Sequence, residues 1–70
     1  MRVDAQLLDA KIEASGLKTN FIIEKLGLSA NGFYKKKNGQ TPFRISEVYV
    51  LCDLLHIDDS EKEKIFFPKS

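Results

Sequence analysis

Four residues, Ala30, Asn31, Tyr34 and Lys35, combine useful side chains with a spacing that places them together on one side of a helix. The carboxamide of Asn31 can accept from and donate to the major-groove edge of adenine, and one good bidentate contact of this kind discriminates by ~1–3 kcal/mol. Lys35 can donate to guanine or reach a phosphate, and Tyr34 can pack on a thymine methyl group or donate to a phosphate. The chemistry on offer is therefore hydrogen-bonded reading of a duplex, with no covalent step. The competing reading of Asn31 is a solvent-facing residue in the first turn of a helix.

Around these four lie groups suited to phosphate. Lys18, Thr19, Ser29, Asn38 and Gln40 fall at helix starts or in the loop after the helix, where backbone amides and short polar groups can contact phosphates. Lys36 and Lys37 would add salt-sensitive attraction to phosphate, or would form no more than a solvated charge run. Gly32 costs ~1 kcal/mol in a helix relative to alanine; it either lets the backbone approach a duplex closely or is merely tolerated.

Charge is distributed in keeping with this. The net charge is only +1, but from Gly16 to Arg44 the basic residues Lys18, Lys25, Lys35, Lys36, Lys37 and Arg44 are opposed by Glu24 alone. Outside that segment Arg2, Lys11, Lys62, Lys64 and Lys69 are outnumbered by acids. A basic segment on a nearly neutral chain is a local electrostatic footprint.

The elements that must position these residues follow from periodicity and capping. A first helix from about Asp4 to Ser15 carries Val3, Leu7, Leu8 and Ile12 on one face, ends at Gly16 and serves as a lid. A second begins near Thr19, a candidate cap, and runs to Leu26; Ile22, Ile23 and Leu26 are its core set, with Phe21 at the edge. Gly27 stops it on a left-handed residue, and after a turn of about four residues Ser29 caps a third helix that runs to about Lys37. Phe33 is the inward anchor of that helix, which is why Ala30, Asn31, Tyr34 and Lys35 face out. Asn38-Gly39 ends it, and two short helices across so tight a turn form the unit that lays a helix in the major groove.

Beyond the loop Gln40–Arg44, where Phe43 plugs back into the core, Ser46 is a candidate cap for a fourth helix. Val48, Leu51, Cys52 and Leu55 make one apolar face of it and Val50, Leu54 and Ile57 a second, so two partners are needed. Asp58 with Glu61 resembles a capping box and opens a short fifth helix ended by Pro68. Ile65, Phe66 and Phe67 cluster at its end and are expected to form a dimer contact, with packing inside the chain as the alternative.

The 70 residues make one domain, 1–70, with little apolar surface to bury, so help from a second chain is expected. No apolar run is long enough for a membrane span and no signal-peptide core is seen, which predicts a cytoplasmic protein. Cys52 is the only cysteine and reads as a buried, inert thiol; His56 stands alone, so no metal is expected. No cofactor, small-molecule substrate or catalytic residue is expected, because there is no glycine-rich phosphate loop, cysteine-histidine arrangement or carboxylate pair.

The run Gly16-Leu17, Ile22, Glu24-Lys25-Leu26-Gly27-Leu28-Ser29, Gly32-Phe33-Tyr34-Lys35-Lys36 and Asn38-Gly39, followed by Phe43, Ser46-Glu47-Val48 and Leu54-Leu55, resembles the small phage Cro and repressor type of helix-turn-helix protein, also called the xenobiotic-response-element family. The resemblance covers nearly the whole chain. It implies an all-α, compact five-helix domain of the lambda-repressor-like kind, binding double-stranded DNA as a homodimer at a two-fold operator and controlling transcription, commonly in a prophage switch. The family's base-reading positions fall on Ala30, Asn31, Tyr34 and Lys35, and its phosphate positions on Thr19, Ser29, Asn38 and Gln40. Ile23, where alanine is usual, Thr19, where glutamine is common, and Lys37, where apolar residues are common, depart from the pattern. The alternative is a protein-interaction module such as an antirepressor or antitoxin-like partner, using the apolar C-terminal end.

Overall fold

Local rules set the helix ends in the computed structural model, which describes residues 3–68. Helix α1, Ala5–Ser15, starts where the Asp4 carboxylate accepts from the Leu7 N–H at 3.1 Å and stops at Gly16, whose φ of 73° suits a residue without Cβ. Helices α2, Thr19–Leu26, and α3, Ala30–Lys37, are joined by Gly27, Leu28 and Ser29, with Gly27 at φ 70° closing α2. Helix α4 spans Ile45–Leu55 and α5 spans Asp59–Phe66. Among the described residues there is no strand, and no helix is long and apolar enough to cross a membrane. Arg2 and Lys69, counted in the charge balance, lie outside the described residues.

Two expected caps are displaced. Thr19 is the first residue of α2 and caps nothing; Lys18 holds the extended cap position and offers no acceptor, leaving the first-turn amides of α2 without a side-chain partner. Ser46 lies inside α4, and the helix start is fixed from the other direction: the Glu47 carboxylate accepts from the Arg44 N–H at 2.8 Å. The Asp58–Glu61 capping box forms in both directions, at 2.7 Å and 3.3 Å. His56, at φ 53°, ends α4 in a left-handed conformation that a non-glycine residue seldom adopts.

One core holds the five helices. Leu8 and Ile12 of α1, Ile22 and Ile23 of α2, Phe33 of α3, and Val48, Leu51 and Leu55 of α4 join Ile57, Ile65 and Phe66 in a single cluster. Phe43 does return to it, edge-on to both Phe33 at 6.4 Å and Phe66 at 5.7 Å between ring centroids. Leu26 and Cys52 are only half-buried beside the cluster. Loss of water raises the Cys52 thiol pKa, which keeps it protonated and unreactive at neutral pH.

The C-terminal dimer assignment requires correction. Ile65 and Phe66 are buried within their own chain, because α5 folds back along α1, where the Asp4 N–H donates to the Ile65 carbonyl at 2.7 Å. Only Phe67 of the three stays exposed. The second apolar face of α4 is met the same way: Ile57 is buried and Val50 and Leu54 are half-buried. What α4 leaves in solvent is a different pair, Ile45 at 70 % and Tyr49 at 61 % exposure.

Candidate nucleic-acid interface

Helix α3 has little intrinsic reason to be straight or stable: it is eight residues long and contains Gly32. Its start is secured by Ser29, whose hydroxyl accepts from the Gly32 N–H at 3.0 Å. That bond supplies a local account of Gly32, since a Cβ there would sit 3.1 Å from the same hydroxyl oxygen and crowd the cap. Its middle is secured by Phe33, which is 0 % exposed; burying such a ring stabilises by roughly 1.5–3 kcal/mol.

With Phe33 inward, Ala30, Asn31, Tyr34 and Lys35 all lie on the exposed side. Tyr34 is braced there, edge-on to Phe33 at 5.5 Å and with Lys37 Nζ 5.0 Å from its ring centroid. Among the described residues Lys35 has no carboxylate at ion-pair distance, so its charge faces solvent unneutralised.

Lys36 departs from the phosphate role read from the sequence. Its ammonium donates to Glu47 Oε1 at 2.6 Å, and the two side chains are 11 % and 9 % exposed. The oxygen that takes this bond also takes the Arg44 N–H, so one carboxylate ties the last turn of α3 to the first turn of α4. Burial raises the Glu47 pKa, but the hydrogen bonds from Lys36 and the Arg44 backbone, with the positive charges of both residues, outweigh it and hold the carboxyl below its ordinary value. Lys37 is likewise engaged, 2.8 Å from Asp9 of α1. Neither lysine belongs to a solvated charge run. Both also stand in the last turn of α3, where positive charge offsets the helix dipole.

The expected phosphate groups are not gathered equally. Lys18, Ser29, Asn38 and Gln40 are exposed, and Thr19 is half-buried at the open start of α2. In the loop after α3 the amides of Asn38, Gly39, Gln40 and Thr41 turn back onto carbonyls of Tyr34, Lys36 and Lys35, so only side chains there remain for phosphate. Glu47 and Asp9 were missed as parts of this site. The only sequence signal for Glu47 was its place three residues after Arg44, which suits a helix start; nothing local marks Asp9. Among the described residues no cluster of His, Cys, Asp and Glu could hold a metal ion.

Comparison with models of protein families, with curated proteins and with solved structures gives no match.

Proposed function

We propose that the chain is a sequence-specific DNA-binding transcriptional regulator of the Cro and repressor type, with a lambda-repressor-like arrangement of its five helices. In this reading α3 enters the major groove. One observation carries it: a short helix, anchored by the fully buried Phe33, holds Asn31, Tyr34 and Lys35 together on its exposed side. Asn31 reads a base, Lys35 reads a base or a phosphate, and Ser29, Lys18 and the start of α2, which has no side-chain cap, are the phosphate contacts of this reading. A homodimer would set two such helices about 34 Å apart on an inverted repeat.

Selection from random duplex DNA tests the reading, with an enriched inverted repeat as the expected result. On that site Asn31→Ala should lose about tenfold or more in affinity and become indifferent to one base pair, while binding to random duplex stays unchanged. Equal weakening on both duplexes would remove Asn31 from base reading. A second reading, a protein-interaction module, gains support from the pairing of Lys36 and Lys37 with acids of the same chain, which accounts for two of the three clustered lysines without DNA. It expects no enriched duplex at all.

A further inference from the structure

Glu47 is the one buried charged residue among those described, and it stands against the end of α3. Its Oε1 accepts from Lys36 Nζ at 2.6 Å and from the Arg44 N–H at 2.8 Å, so it offers Lys36 what a DNA phosphate would, an anionic oxygen at hydrogen-bond distance. Of the six cations from Gly16 to Arg44, only Lys36 meets a buried carboxylate; Lys37 meets Asp9, and the other four have no carboxylate partner among the described residues. Lys36 also lines a groove with Gly39, Thr41 and Pro42, and the same loop carries the exposed side chains of Asn38 and Gln40. An ammonium freed from Glu47 thus has a way out beside groups suited to phosphate.

We infer that Glu47 is a specificity-determining residue, which withholds Lys36 from phosphate and through the same bond fixes the tilt of α3. The first effect is competition. A lysine free to meet any phosphate strengthens binding to every sequence and adds nothing to discrimination. A carboxylate of the same chain meets it intramolecularly, ahead of any phosphate; without that carboxylate, a half-buried ammonium is costly and turns outward. The second effect is geometric. Phe33 is the one buried residue of α3, and a single anchor leaves an eight-residue helix free to rock about it. The bond from Lys36 to the start of α4 removes that freedom. Base contact by Asn31 needs α3 at one angle, whereas attraction to phosphate does not. The role in specificity rests on the DNA-binding reading; the withholding of Lys36 does not.

Salt titrations of Glu47→Gln on random duplex and on the selected duplex provide the test. Asp53→Asn is the control, with the same change in net charge at an exposed carboxylate that has no ion pair among the described residues. On random duplex Glu47→Gln should bind about five- to tenfold tighter at about 0.1 M salt and steepen the slope of log affinity against log salt by about one, as one added phosphate contact requires. Asp53→Asn should leave that slope unchanged, and adding Lys36→Gln to Glu47→Gln should return random binding to the wild-type value. On the selected duplex Glu47→Gln should gain nothing, so the ratio of selected to random affinity falls by the same factor. Circular dichroism checks the fold; where Glu47→Gln does not stay helical, Glu47→Asp, which keeps the charge and shortens its reach, carries the test. Weakening on both duplexes, or a slope no steeper than that of Asp53→Asn, overturns the withholding. Equal gains on both duplexes overturn the role in specificity. A wild type that enriches no duplex, with Glu47→Gln still steeper on random duplex, removes the DNA reading and leaves the withholding of Lys36 in place.

Discussion

Two sides of α3 carry the same kind of lysine and meet opposite fates. On one side Asn31, Tyr34 and Lys35 are left in solvent, whereas the adjacent Lys36 and Lys37 are drawn down onto Glu47 and Asp9. Three consecutive lysines thus divide into one charge available to a ligand and two that fasten the helix. The difference is one of angle. Each residue advances about 100° around the helix, so Lys36 points toward α4 and Lys37 toward α1 while Lys35 clears both. A run of like charges on a short helix is therefore not one surface, and only part of it belongs to any electrostatic footprint.

The strongest way to break this division is Glu47→Gln. The variant leaves the Lys36 ammonium facing a neutral amide in a half-buried place, and the expected loss is about 1.5–3 kcal/mol of stability, read from urea unfolding at neutral pH. The pH dependence carries a definite sign. The Glu47 pKa is lower folded than its ordinary value of 4.5, so its contribution is fully present above that value and disappears as pH falls through the lower, folded pKa. Wild type and Glu47→Gln should accordingly differ at neutral pH and converge in acid; a constant gap would mean that the carboxylate charge is irrelevant.

A sharper separation of the two sides comes from salt. If Lys35 is the one lysine of the run that faces phosphate, Lys35→Ala should lower the slope of log affinity against log salt by about one, while Lys36→Ala lowers stability and leaves that slope unchanged. A reduced slope for Lys36→Ala would return Lys36 to the phosphate set. The smallest effect is expected for Asp9→Asn: Asp9 is half in solvent, and an exposed pair of this kind contributes about 0.2–1 kcal/mol, seen as a small decrease in melting temperature that high salt abolishes.

Much of the architecture was readable because it depends on neighbours in sequence. Asp4, Gly16, Gly27, Ser29 and the Asp58–Glu61 pair mark helix ends through hydrogen bonds or conformations spanning three residues or fewer, and each does so in the fold. Phe33 inward and Asn31 outward follow from the helical period alone. Thr19 and Ser46 were misread for a related reason: a hydroxyl near a helix start has the right chemistry one position too late, and the backbone, extended at Lys18 and Arg44, decides which residue is the cap. The C-terminal aromatics were the hardest. Nothing in Ile65-Phe66-Phe67 distinguishes a core contact from a surface, because that depends on where α5 lies against α1 and Phe43.

By itself, then, the chain of residues determined five helices, the caps of three of them and the direction in which α3 presents Asn31, all consequences of local geometry and of apolar spacing. Tertiary structure alone decided which lysines stay charged toward solvent, which aromatics vanish into the core and which face of α4 is left bare. Those outcomes depend on groups such as Lys36 and Glu47, eleven residues apart on successive helices and brought within 2.6 Å by packing, and no local pattern records such an encounter.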